Sequence, residues 1–137
     1  MFLLDTNVVS ELRHGRRAHP GVLAWARLLD PLSLFMSAIT IFEIEKGALL
    51  VKRRDPKQAA LLERWIRSEV LPTFAKRILP FDTAVALRCA VLHIPDPRPE
   101  RDAVIAATAL EHRMIVVTRN VRDFAPMGVP LLNPWES

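Results

Sequence analysis

A single cysteine, Cys89, in 137 residues leaves this chain no internal disulfide to fold around. It sits in an apolar helical pattern with Val85, Ala86 and Ala90 that reads as packed core, and a reducing, cytoplasmic setting is expected. Tyrosine is absent and aromatics make up only 7% of the residues, so the sequence offers no evident stacking platform for unpaired bases. No apolar run approaches the ~20 residues that span a bilayer, and Asp5 interrupts the amino terminus before a signal-like stretch can form. The expectation is a soluble, unprocessed protein with no membrane partner. The four histidines, His14, His19, His93 and His112, show no HxxxH or Cys/His spacing, which argues against zinc. Walker-type GxxxxGKS/T, GxGxxG and GxSxG are also missing, which argues against a nucleotide-binding P-loop, a dinucleotide fold and a serine hydrolase. Neither an internal repeat nor a polar linker divides the chain, so residues 1–137 are expected to build one domain.

Half of the residues are hydrophobic and they are spread along the chain, as in a globular domain. The net charge of +4 and the pI near 10.0 favour an anionic partner. Short apolar or β-branched runs, Phe2 to Leu4, Leu34 to Met36, Arg77 to Pro80, Met114 to Val117 and Val129 to Leu132, alternate with helical patterns. Helices are expected after Asp5-Thr6-Asn7, over about Pro20 to Leu29, from Ser37-Ala38-Ile39-Thr40 to about Val51, from Asp55-Pro56 to a stop before Pro72, from Asp82-Thr83 to about Leu92, and over Asp102 to Arg113. Such alternation predicts an α/β fold, a parallel sheet of four or five strands with helices on both faces.

In open sheets of this kind ligands bind beyond the carboxyl ends of the strands. Asp5 stands directly after the first strand, where Thr6 or Asn7 could cap the helix in its place. Glu43 stands one turn into the helix after the second strand, on the face of Ile39, Gly47 and Leu50. There it is open to two readings, a site carboxylate or the far member of a capping box with Thr40. Asp102 opens a helix of small residues, and Asp123 follows the Val116-Val117 strand. Up to four carboxylates on one rim would repel unless protonated or neutralised by a cation, and a metal is the simplest solution. All-oxygen ligation suits Mg²⁺ or Mn²⁺, ions that support phosphodiester hydrolysis. Arg13, Arg16, Arg17, Arg98, Arg101, Arg119 and Arg122 flank these positions and are candidates to hold RNA phosphates, although each could equally be a solvated surface arginine.

Phe-Leu-Leu-Asp5-Thr6-Asn7-Val-Val-Ser10-Glu-Leu resembles the opening of PIN-domain ribonucleases, particularly VapC-type toxins and their FitB-like subgroup. Three later blocks agree in order: Ser37-x-x-Thr40-x-x-Glu43-x-x-x-Gly47, Asp102-Ala-x-Ile105-Ala106-Ala107-Thr108-Ala109, and Thr118-Arg119-Asn120-x-x-Asp123-Phe124. The chain then closes on Asn133-Pro134-Trp135. The resemblance implies that Asp5, Glu43 and Asp102 bind Mg²⁺ or Mn²⁺, that Asp123 or Asn120 completes the site, and that Asn7 and Thr118 support it. It further implies cleavage of structured RNA such as tRNA or rRNA, a homodimer, and silencing by a VapB- or FitA-like antitoxin. A housekeeping RNA-processing nuclease and a non-catalytic interaction module are the alternatives. Haloacid dehalogenase phosphatases also open with a strand ending in Asp, but they need a second acid two residues on, where this chain has Asn7. Receiver domains need an adjacent acidic pair, which Asp5-Thr6 does not supply.

Overall fold

Strand β1 (Phe2–Leu4) is an unbroken apolar run, the pattern of a strand covered on both faces. It stops at Asp5, whose carboxylate accepts the Thr6 amide at 2.7 Å and so caps α1 (Thr6–Leu12). Asp5 therefore caps the helix itself; neither Thr6 nor Asn7 takes over that role. After a 3₁₀ turn at Gly15–Arg17 comes α2 (Pro20–Arg27), with proline in its first turn and His19 Nδ1 accepting the Gly21 amide at 3.1 Å. Strand β2 (Leu34–Ser37) leads into α3 (Ala38–Lys52). Ser37 caps α3 through the Ile39 amide at 3.1 Å. Thr40 lies inside the first turn, so no capping box forms and Glu43 is released from that alternative.

Helix α4 (Pro56–Trp65) is capped by Asp55 and passes into a π-turn at Ile66–Val70, then into α5 (Leu71–Thr73). The expected stop before Pro72 is thus corrected. Proline has no N–H to give a carbonyl one turn back, and the wider π-turn just upstream lets the chain continue helically through it. Strand β3 (Ile78–Leu79) follows, its approach held by Arg77, which donates to the carbonyls of Pro31 at 2.7 Å and Leu34 at 2.6 Å. Asp82 caps α6 (Thr83–Leu92) through the Val85 amide. Helix α7 (Glu100–His112) begins two residues before Asp102, because the Pro99 carbonyl accepts the Ala103 amide at 3.0 Å. Strand β4 (Ile115–Val117), the short α8 (Val121–Phe124) and β5 (Leu131–Leu132) complete the order. The computed structural model describes residues 1–136; Ser137, within the expected domain, lies outside them.

All five strands are parallel, in the order β3-β2-β1-β4-β5. Leu3 and Val116 point to one face, where Ile105, Ala106, Ala109, Phe124 and Cys89 pack. Leu4 and Val117 point to the other, against Val8, Val22, Ile44, Ala48 and Ile66. Burial and, secondarily, the charge of Glu100 push the Cys89 thiol above its ordinary pKa, in keeping with a core residue. Helices thus cover both faces, and α7 can lie close to the sheet because alanines form its contact side. Among the described residues no helix is long and apolar enough to cross a membrane.

Candidate active site

The chain leaves β1 on one side to reach β2 and later places β4 on the other side of β1. This reversal opens a crevice at the carboxyl ends of β1 and β4. Asp5 and Thr118, the first residues beyond those two strands, stand on its floor, and the Asp5 amide donates to the Val117 carbonyl at 2.9 Å. Helix α3 leaves the same sheet edge after β2, bringing Glu43 to the crevice. Helix α7 returns antiparallel to the strands, so its first turn, with Arg101 and Asp102, arrives above that edge.

Three of the four acids expected there converge, and a guanidinium joins them. Arg101 donates through Nε to Glu43 Oε2 at 2.5 Å, through Nη1 to Asp102 Oδ1 and through Nη2 to Asp5 Oδ1. Asp5 is fully buried and Asp102 nearly so, whereas Glu43 and Arg101 keep a solvent-facing side. Further donors fix the acids. Thr118 Oγ1 donates to Asp5 Oδ2 at 2.7 Å and Asn7 Nδ2 to the same oxygen at 3.3 Å. The Thr6 hydroxyl donates to Glu43 Oε1 at 2.6 Å, with Thr40 Oγ1 3.3 Å away.

Three negative charges therefore face one positive charge in a partly dry crevice. Burial pushes the Asp102 carboxyl above its ordinary range; Arg101 opposes the shift, and Asp5 and, more weakly, Asp123 reinforce it. For Arg101, burial alone would lower the pKa, but the charges of Asp5, Glu43 and Asp102 outweigh it and hold the guanidinium protonated.

Asp123 stands outside this ring, exposed on α8 but close enough for its charge to act on Asp102. Asn120 is also exposed, and its backbone amide donates to Thr118 Oγ1 at 2.9 Å. Of the flanking arginines, Arg13 lies over the Trp65 ring at 5.9 Å and Arg119 over the Trp135 ring at 5.5 Å. Both pairs line a groove of about 420 Å³ that contains Thr6, Asn7, Glu43 and Gly47. Arg16, Arg17 and Arg122 are exposed away from direct contact with the acids, and Arg98 is half-buried, its backbone amide on His93 Nδ1 at 3.1 Å.

Sequence reasoning placed Arg101 among candidate phosphate holders and missed its seat inside the acid cluster. The signal was available, since a ring of acids needs a counter-ion and Arg101 is the basic residue adjoining Asp102. Trp65 and Trp135, separated by 70 positions, share one groove with Glu43, a convergence that no local pattern announced.

Residues 2–128 match the PIN domain family. The chain is 37% identical to the VapC ribonuclease Y4jK of Sinorhizobium fredii, with 99% of each chain covered. It is likewise 37% identical to the toxin FitB of Neisseria gonorrhoeae, over 98% of this chain and 99% of that one. The crystal structure of FitAcB from Neisseria gonorrhoeae superposes with a TM-score of 0.89 at 35% identity, over the whole of both chains.

Proposed function

This chain belongs to the PIN-domain family, and from that premise we propose that it is a divalent-metal-dependent endoribonuclease acting as the toxin of a VapBC-type toxin–antitoxin pair. The observation that carries the reading is the convergence of Asp5, Glu43 and Asp102, from three distant segments, on one cation at the sheet's switch point. Carboxylates so crowded persist by holding a proton or by gaining a compensating positive charge, and an all-oxygen set of this kind matches Mg²⁺ or Mn²⁺. The donor set therefore fits a hard ion, with Asp5, Glu43 and Asp102 as its holders and Asp123 as a fourth carboxylate at the rim. Bound there, the ion would supply an activated water and neutralise phosphoryl charge.

The chain's own side chains do the rest. Thr118 and Asn7 hold the Asp5 carboxylate in a fixed rotamer, and Thr6 does the same for Glu43, so the acids are oriented before RNA arrives. Arg13 and Arg119 line the groove leading to the acids and present charge to phosphates; Arg16, Arg17, Arg98 and Arg122, outside that lining, are proposed as further phosphate contacts. Trp65 and Trp135 form part of the wall of the same groove and carry Arg13 and Arg119 over their rings. Structured RNA, tRNA or rRNA, is the substrate class proposed, with a homodimer as the working unit and a FitA- or VapB-like antitoxin as its cytoplasmic partner. The names of the relatives favour a toxin over a processing nuclease.

The test is induction of this chain alone in a bacterial host, followed by mapping of new RNA 5′ ends. Growth arrest that requires Asp5, Glu43 and Asp102, with ends at a few sites in structured RNA, is the expected result. Normal growth with abundant soluble protein and no new ends would reject the toxin reading.

A further inference from the structure

We infer that Arg101 and the divalent cation are alternative occupants of the Asp5, Glu43 and Asp102 cluster, so that the chain's own guanidinium sets how tightly metal is held. The inference rests on the proposed metal-dependent reading and adds a built-in competitor to it.

The carboxylate oxygens are already committed. Both oxygens of Asp5, both of Glu43 and Oδ1 of Asp102 each accept a hydrogen bond, and Arg101 takes one oxygen from every acid. A Mg²⁺ ion demands oxygens at about 2.0–2.1 Å around one point. A guanidinium instead spreads its partners around a planar fork several ångströms wide. Among the described residues no three His, Cys, Asp or Glu side chains are placed to hold a single ion. With the fork in place, the acids are arranged for the fork. Gathering them on a point requires Arg101 to withdraw, and a dication sharing the same lone pairs would repel the guanidinium as well.

Withdrawal needs no backbone change. Arg101 lies in the first turn of α7, and its side chain is 29% exposed, so rotation about its own torsions carries the head group to solvent. Asp5, by contrast, is fully enclosed and pinned by Thr6, Asn7 and Thr118, so the moving partner is the arginine. The apparent metal Kd is then the intrinsic value divided by the fraction of molecules with the fork withdrawn. If that fraction is about one in a hundred, the apparent Kd is about a hundredfold weaker.

Two measurements on the full chain test this. The first is titration calorimetry with Mn²⁺ on the parent and on Arg101→Met, which keeps the apolar stem and removes the charge. Binding about tenfold or more tighter in the variant is expected. The variant without metal should also melt lower than the parent and gain more in Tm on Mn²⁺ addition, because its acids have lost the cation paired with them. The second measurement needs no altered protein during the titration: the arginine Nε–H resonance of Arg101, assigned by its absence in Arg101→Lys, is followed as Mg²⁺ is added to the parent. It should move to the position of a solvated arginine as the site fills. An unmoved resonance at saturating Mg²⁺, or equal affinities in parent and Arg101→Met, would overturn the competition while leaving the metal site standing. Failure of both proteins to bind Mg²⁺ or Mn²⁺, alone and with RNA, would overturn the metal-site reading and the inference with it.

Discussion

The described residues hold two arginine-centred acid clusters, and they are built alike but placed differently. Arg101 holds Asp5, Glu43 and Asp102 in the crevice, and Arg67 holds Glu45 at 2.5 Å and Glu63 at 2.7 Å on the outer side of α3 and α4. The Arg67 side chain is 55% exposed against 29% for Arg101. Glu63 and Arg67 are an i,i+4 pair on one helical segment, whereas Arg101 and Asp5 are 96 residues apart. The outer cluster spans only 22 residues of sequence and is wet. Its titration is set mainly from within: the hydrogen bond from Arg67 lowers Glu45, and the neighbouring Glu45 raises Glu63, with Lys52 opposing weakly. The inner cluster is assembled by the fold and partly dry, so its charges act on one another with less screening. Identical chemistry is surface decoration in one place and a candidate catalytic centre in the other, and burial makes the difference.

Asp5→Asn offers the sharpest contrast. It keeps the cap geometry and removes the charge, so RNA cleavage in Mn²⁺ should fall by about a thousandfold or more, equivalent to several kcal/mol of charge stabilisation at about 1.4 kcal/mol per tenfold. Circular dichroism should remain native. Cleavage at the parental rate would erase the functional distinction between the clusters.

Thr118→Val probes how far the inner cluster depends on its fixed donors. The buried hydroxyl donates to Asp5 at 2.7 Å and accepts the Asn120 amide at 2.9 Å. Its loss should lower stability by about 1–3 kcal/mol in urea titration and slow cleavage without abolishing it. Unchanged stability would mean that the Asp5 carboxylate needs no such anchor.

At the rim, Asp123→Ala should reduce cleavage more than Asn120→Ala at saturating Mn²⁺, because a carboxylate contributes more to holding a divalent ion than an exposed amide does. The reverse order of rates would transfer the fourth position to Asn120.

Asp102→Asn tests the metal-free state. Burial raises the Asp102 pKa in the fold, so the stability it contributes is present below its ordinary value of 3.8 and is lost as pH rises through the folded value. Near neutrality and with chelator present, the charge opposes folding, and the Asn variant should melt higher than the parent. At a pH below 3.8 that advantage should vanish. A variant that melts lower at neutral pH would show that pairing with Arg101 outweighs burial. The smallest effect belongs to the outer cluster: Glu45→Gln should leave cleavage and Tm unchanged within error, since exposed ion pairs contribute little.

The sequence by itself determined the parts whose causes are local. Apolar runs too short for helices, alternating with helical patterns, revealed the parallel β/α order, and Asp55 and Asp82 cap where their positions suggested, while Ser37 caps α3 in place of Thr40. Strand ends followed by Asp5 and by the Thr118 segment marked the rim where ligands bind. Tertiary structure alone decided what depends on residues far apart. The order β3-β2-β1-β4-β5 puts the crevice between β1 and β4, and no local pattern states which strands pair. A π-turn carried the chain through Pro72 because its carbonyls could be rearranged in context, where propensity alone gave a stop. Trp65 and Trp135 line one groove only once the fold brings α4 and the turn at Pro134–Glu136 alongside α1 and α3. Arg101 could be read beside Asp102, but whether its side chain reaches solvent or three acids is set by the direction in which α7 approaches the sheet. Side-chain chemistry is written in the chain; the electrostatic partners and burial that give it function exist only once distant segments share the same small, partly dry space.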